Sequence, residues 1–584
     1  MTISDHFESE RLSPDTERSP DAERSPDAER SPDAERSPDA ERSPDAERSP
    51  GAERRALLAA GLGALGAASG LSALGVPQLA FAQASGVRGG QLLIGAPSRP
   101  RHFNPALMSG SPMMPAAQLF ASPLLMDRNW KPRPYLAERW SVSDDARSIT
   151  LHLRKDAVFH DGKPITSEDL QFSVEAVRDH HPFKGMFQPV NAVTLTDRHT
   201  AVVRLMEPHP ALQLAMTTVF VPILPKHIYG DGTPLPTHPR NVNNVVGSGP
   251  FRLVEFKPGE HVIMQRFDKF FLPGQPLLDR LVFKEYKDST SMVLGFERGE
   301  VDFIPFIGDP REIARLKKTQ GATVTDDFVP GVGPLVWLAF NTKHPKLADK
   351  RVRQAISHAI DREFVVKNLS TGAMRASTGP IHSSSPFYSA DVPRFGLDLS
   401  KANQLLDAAG LKAGADGKRL TLTCDSVSSG DQRTLAEYLR PALAKIGIEV
   451  TVRFAPDFPT WARRVGDHDF ELTTDSVWNW GDPVIGVHRT YQTSNIRKGV
   501  VWSNTQQYSN PKVDDLMAKA AIERDVNTRK KLYAEFQKIV VEDCPIAFVF
   551  ETGYAGAFGR NVGAQNFGVW GPLAPLHEMS LKKA

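Results

Sequence analysis

Residues 420–454 read LTLTCDSVSSGDQRTLAEYLRPALAKIGIEVTVRF, and their periodicity decides the fold class. The opening LTLTC alternates apolar and polar residues, the period of a strand with one buried face. Leu435, Leu439 and Leu443 then recur at helical spacing. Gly447 supplies a stop, and Ile448, Val450, Val452 and Phe454 alternate once more. Strand, helix and strand in so short a stretch form a crossover, the unit from which parallel strand pairs are built. Pro441 lacks an amide donor and predicts a bend or division of the helix.

The same lobe extends in both directions. Residues 512–541 carry Val513, Leu516, Met517, Ala520, Leu532, Phe536 and Ile539 largely on one side, which reads as one long helix. KANQLLDAAGLK (401–412) is a short helix ending at Gly410. DKRVRQAISHAIDRE (349–363) puts Val352, Ala355, Ile356, Ala359 and Ile360 on one stripe. Its other side, with Arg351, Arg353, Asp361 and Arg362, reads as a wet surface, with His358 at the boundary. PLVWLAFN (334–341) and PIAFVFET (545–552) are apolar strands flanking this α/β lobe. Entering and leaving one inserted lobe, they would form a two-stranded hinge beside a cleft.

The portion from 88 to 330 is richer in strands and loops. ITLHL (149–153) alternates, Asp161-Gly162 signals a turn, and Thr166 with Asp169 matches a capping box. His160 and Asp161 are adjacent, so on an extended segment they face opposite ways and make a poor acid/base pair.

Of 584 residues, 40% are hydrophobic and 24% charged, a globular mixture too long for one core. From Arg18, RSPDAE repeats five times in tandem. A proline every sixth residue and almost nothing apolar predict a disordered segment over 1–50. Arg54 and Arg55 then precede a small-residue apolar run that closes on Ala-x-Ala choices at Ala80–Ala84. That layout, over 51–84, is an export signal with a twin-arginine-like pair. Its removal leaves 61 basic and 52 acidic residues, a net +9. No basic block points to nucleic acid, and no later run reaches the length of a spanning helix. The expected product is an exported, soluble, monomeric periplasmic protein. Cys424 and Cys544 either oxidise together there or stay as two buried thiols.

Catalytic motifs are missing. The chain has no GxSxG, HExxH, GxxxxGK[ST] or GxGxxG. Neighbouring carboxylates such as Asp144-Asp145 lack facing geometry, and the 17 histidines are scattered. The expectation is a protein without enzymatic activity, metal or cofactor. An exported hydrolase and a periplasmic receptor or scaffold stay open as alternatives.

Three blocks carry a resemblance: ITLHLRKDAVFHDGKPITSEDLQFSVEAV, VGSGPFRLVEFKPGEHVIMQRFDKFFLPGQPLLDRLVFKEYKD and VWLAFNTKHPKLADKRVRQAISHAIDRE. In this order they resemble the extracytoplasmic solute-binding proteins of the dipeptide/oligopeptide/nickel ABC-importer class, family 5. The resemblance implies a two-lobed α/β periplasmic binding protein fold (type II, cluster C-like) that closes on a small organic solute. It also implies delivery of that solute to an ABC permease driven by separate ATPases. Mapped here, the first lobe takes 88–128, 246–332 and 553–584, an extra domain takes 129–245, and the second lobe takes 333–552.

VWNWGDPV (477–484) is where the resemblance places the guest. In peptide-binding members this segment faces the cleft, and an aspartate before the Gly-Asp-Pro grips the peptide amine. The matching position is Asn479, whose amide cannot neutralise an ammonium. The solute is therefore expected to be peptide-like, opine-like or sugar-derived. Asp482 either substitutes from a shifted position or caps backbone amides. Trp478 and Trp480, alternate residues of an extended segment, share one face toward cleft or core. Further candidates are His102, Phe103 and Asn104 in RPRHFNPAL (99–107), Ser109 as a backbone donor, Trp337 on the hinge strand, and Arg375 for a ligand carboxylate.

Overall fold

The computed structural model describes residues 87–582 except 98, 111, 327, 370–373, 429 and 564–566. The hexapeptide repeats and the export signal lie outside the described residues.

The crossover forms as the periodicity requires. Leu420–Val427 and Ile448–Ala455 pair in parallel, Leu420 opposite Ile448 through to Val427 opposite Ala455. The helix Gly430–Ala444 between them keeps Leu435, Leu439 and Leu443 buried. It runs through Pro441 undivided, because a proline there removes one hydrogen bond only a turn from the helix end. Leu472–Trp478, Pro334–Phe340, Ile546–Thr552 and Met374–Ala376 complete a six-stranded sheet.

Pro334–Phe340 and Ile546–Thr552 are buried at every residue and pair antiparallel within that sheet. Alternation explains this. Val336, Leu338 and Phe340 enter one core with the helices Lys350–His358, Leu399–Ala408 and Gly430–Ala444. Leu335, Trp337 and Ala339 enter a second core with Pro511–Ile522 and Val526–Asp543. A strand covered by helices on both faces has no polar side to show.

The first lobe is built on a seven-stranded sheet assembled from distant parts of the chain. Gln91–Ala96 pairs in parallel with Arg280–Glu285 and with Phe303–Ile307. Ala555–Phe558, directly after Ile546–Thr552, inserts between Phe303–Ile307 and Thr323–Thr325. The chain thus crosses between lobes beside Pro334–Phe340 and Ile546–Thr552 of the six-stranded sheet. A four-stranded antiparallel sheet, Ala137–Val142, Ser148–Leu153, Thr200–Leu205 and Val190–Asp197, shares the first lobe's core. Ile149, Leu151 and Leu153 point inward there. Thr166 and Asp169 close the expected capping box on Ser167–His180.

Two readings are corrected. The stretch 512–541 is two helices, because Asp525 caps Val526–Asp543 by accepting from the Thr528 amide at 2.7 Å. Arg353 and Arg362 do not face water. Arg353 is buried and donates to the carbonyls of Leu347, Ala348, Asp543 and Cys544 at 2.7–2.9 Å, satisfying the open end of Val526–Asp543. Arg362 donates to the carbonyls of Ser357, Phe395 and Phe548. Among the described residues no helix is long and apolar enough to cross a membrane.

Cys424 and Cys544 are buried and unbridged, and burial pushes both thiols up to about 12. A thiol reagent at pH 8 should leave the native protein unlabelled and label both cysteines once the chain is unfolded without reductant. Fast native labelling, or an unfolded chain with no free thiol, would contradict this.

Candidate functional site

Where the strand Leu472–Trp478 leaves its sheet, pairing continues onto the segment between the lobes. Asn479 and Trp480 donate their amides to the carbonyls of Gly333 and Val332, each at 3.1 Å. Trp480 then adopts a left-handed backbone, φ 52°, followed by Gly481 at φ 81°. A Cβ on Gly481 would come within 2.7 Å of the Leu214 side chain and 3.0 Å of Trp130. Glycine is required by both the φ and the close approach. The turn swings the Trp480 ring out of the second lobe and into the first.

Trp480 is 1% exposed and belongs, with Ile485, to the first lobe's core. Its ring centroid lies 5.1 Å from Phe183 and 6.4 Å from both Phe220 and Trp570. Trp478 is half-buried, 6.3 Å from Trp480 and 6.5 Å from Trp502. The guanidinium of Arg489 lies 5.3 Å from the Phe183 ring. Aromatic residues of both lobes therefore make a single seam.

Asp482 is held inside the second lobe. It caps Pro483–Gly486 through the Val484 amide at 3.0 Å. Its two oxygens accept from Arg529 at 2.7 Å each, and that guanidinium sits 4.7 Å from the Phe387 ring. Burial would raise the carboxyl, but the Arg529 charge and hydrogen bonds hold it below the usual carboxylate range.

Most residues singled out from the sequence are likewise engaged within their own lobes. Asn479 is buried, accepting from the His382 amide at 2.6 Å and donating to the Pro380 carbonyl at 3.3 Å. Phe103 is fully buried against Phe256 at 5.0 Å. Asn104 caps Pro105–Leu107 and donates to Asn241, which fixes the loop. His102 accepts from the Asn104 amide. Trp337 is buried 6.1 Å from Phe548. Arg375 is half-exposed, 3.9 Å from the buried Glu551. Ser109 is partly exposed.

Other residues gather at the junction. A cavity of about 610 Å³ lies between Phe183 and His209 of the first lobe and Ile485, His488, Arg489 and Trp502 of the second. Trp502 also walls a cavity of about 410 Å³ within the second lobe, with Asp475 and Trp461. Beside it, Asp431 is pushed up to about 6 by burial and by the carboxylate of Asp309 in the first lobe. The sequence carried a trace of this: Asp475 interrupts an otherwise uncharged buried strand, LTTDSVW. Among the described residues no group of three or more His, Cys, Asp or Glu could hold a metal ion.

Comparison with known proteins follows the same geometry. The family model for bacterial extracellular solute-binding proteins, family 5 (middle region), matches residues 131–499. The dipeptide-binding protein of Escherichia coli K12 is 25% identical over 507 residues, 82% of this chain and 93% of its own. The substrate-binding protein CtaP of Listeria monocytogenes superposes with a TM-score of 0.74 at 25% identity, covering 85% of this chain and all of its own. NikA of Brucella suis, solved with Fe(III)-EDTA, gives a TM-score of 0.74 at 22% identity, covering 84% of this chain and all of its own.

Replacing Asp482 by Asn should destabilise the fold by ~3–5 kcal/mol at pH 7, since it strands a buried guanidinium. The folded carboxyl titrates below its unfolded value, so the deficit is complete above about pH 4 and fades as pH falls through the depressed value. Chemical denaturation at pH 7 and pH 3 reads both. An unchanged midpoint at pH 7 would contradict the pairing.

Proposed function

The chain belongs to family 5 of the bacterial extracellular solute-binding proteins, and on that premise we propose that it captures a small organic solute between its lobes and hands it intact to an ABC-importer permease. One observation carries this reading: Trp480 and Ile485 of the second lobe are buried in the core of the first, with a cavity opening directly beside them. Aromatic faces give such a cavity shape, and the few polar groups give it bearings.

The architecture proposed for this work is the cluster C type, in which Pro334–Phe340 and Ile546–Thr552 act as the hinge. The first lobe takes 88–128, 246–332 and 553–584, the extra domain 129–245 and the second lobe 333–552. The sheet memberships support that division, since the seven-stranded sheet draws its strands from residues 91–325 and 555–558. The proposed route is export by the twin-arginine-like signal at 51–84, followed by work as a soluble periplasmic monomer without covalent chemistry.

The proposed guest surface runs from Trp478 to Trp502, backed by the buried Trp480, with His102 and Ser109 at its first-lobe border and Arg375 facing a ligand carboxylate. Asn479 spends its amide on the His382 backbone and the Pro380 carbonyl. That supports a solute other than an ordinary peptide gripped by its terminal amine at this position. The names of the relatives span the range of guests this fold accommodates, from the dipeptide-binding protein to NikA with its iron chelate.

Native mass spectrometry of protein exported by its own host should show a bound species of small-molecule mass, released on unfolding and refolding. Titrating the emptied protein with peptides, opines, oligosaccharides and metal chelates should give a saturable change in tryptophan fluorescence with at least one class. No bound species together with no saturable response would overturn the reading.

A further inference from the structure

We propose that the second-lobe cavity at the ends of Leu420–Val427 and Leu472–Trp478 receives a cationic nitrogen of the solute, an ammonium or guanidinium, with Asp475 as its counter-ion and Trp502, Trp461 and Phe458 as its aromatic walls. This rests on the solute-binding reading above and names the chemistry of the guest.

The other buried acids have partners within the chain. Asp482 has Arg529 at 2.7 Å. Asp425 has Arg453 at 2.6 Å and Arg464 at 3.2 Å. Glu551 accepts from the Ser383 amide and hydroxyl, Glu312 from Thr290, and Asp169 from Thr166 and the Lys226 amide. Asp475, 6% exposed, accepts from the amide of its own neighbour Ser476 at 2.6 Å and has the Trp502 indole against its carboxyl, but among the described residues no cation pairs with it directly. A carboxylate buried that way is expensive unless something outside the chain completes it.

Its surroundings fit a cation. The cavity holds about 410 Å³, room for a lysine- or arginine-sized group. Trp461 and Phe458 lie 5.6 Å apart, and Phe458 and Trp502 5.3 Å apart, so that three aromatic rings line one wall of the cavity. Gln432, also on the wall, donates to Ser476 at 2.7 Å.

The local field has the matching sign. Asp431 opens the helix that borders the cavity, Asp309, itself paired with the exposed Arg311 at 3.2 Å, presses on it from the first lobe, and Asp457 lies on the rim. Arg489 is the opposing charge; it acts on Asp475 through space while donating to the Gly486 carbonyl at 3.3 Å. Burial nonetheless pushes Asp475 up to about 7, so the site holds an acid costly to ionise until a cation arrives.

The test uses the exported protein, emptied by unfolding and refolding, with lysine, arginine, agmatine and Ala-Lys as probes against their neutral counterparts norleucine, citrulline and Ala-norleucine. The cationic probes should bind, and the neutral ones at least thirtyfold more weakly. Asp475→Asn should erase that preference while raising the thermal unfolding midpoint at pH 8, because the variant removes a costly buried charge. Trp502→Leu, at a partly exposed wall, should also weaken the cationic probes. Equal affinity for charged and neutral probes, neutral probes alone binding, or Asp475→Asn lowering the midpoint while leaving cation affinity intact would each overturn the proposal. Binding by a neutral class with lobe closure would leave the solute-binding reading standing. Absence of both binding and closure across every class would remove that reading as well.

Discussion

The structure depends on the pairing of Pro334–Phe340 with Ile546–Thr552. These strands lie side by side, second and third in from the Met374–Ala376 edge of the six-stranded sheet, and helices cover both of their faces. Side chains that alternate between two cores cannot slip by one residue without exchanging every contact. The register of the second lobe is therefore fixed at this pair. The same strands stand next to the chain's two crossings into the first lobe, so a rigid pair adjoins the place where the lobes meet.

At that meeting the balance of forces changes from backbone pairing to aromatic packing and charge. Trp480 sits in a left-handed conformation that a bulky residue adopts at a cost of about 1–3 kcal/mol, offset by burying its indole among Phe183, Phe220 and Trp570. Asp482 and Arg529 lock the following turn. Against these, Asp431 and Asp309 repel across the junction, and Asp475 is buried with little to satisfy it. The seam thus combines strong apolar contacts with acids held close to one another. Strain of this kind is retained where function needs it.

Much of the fold was legible because it rests on periodicity. The 420–454 crossover, the alternation of 149–153 and the Thr166–Asp169 capping box all follow from spacing alone. What escaped was long-range. Arg353 looks like a surface residue on its own helix, and only the open end of Val526–Asp543, far along the chain, explains its burial. Asp525 has the chemistry of an N-cap, yet the apolar stripe running past it masked the break. At the site, the resemblance led to Asn479 and Asp482, whose side chains are committed to partners in their own lobe. Asp475 lay four residues earlier and stood out only once burial and partners could be compared.

The most direct test of the central claim is the distance between the lobes, measured between spin labels on the exposed Val254 and Ile522 by pulsed electron resonance. The account predicts two distance populations in the emptied protein and a shift to the shorter one when the solute it carries from its host is returned. A single unchanging distance, with and without that solute, would contradict it.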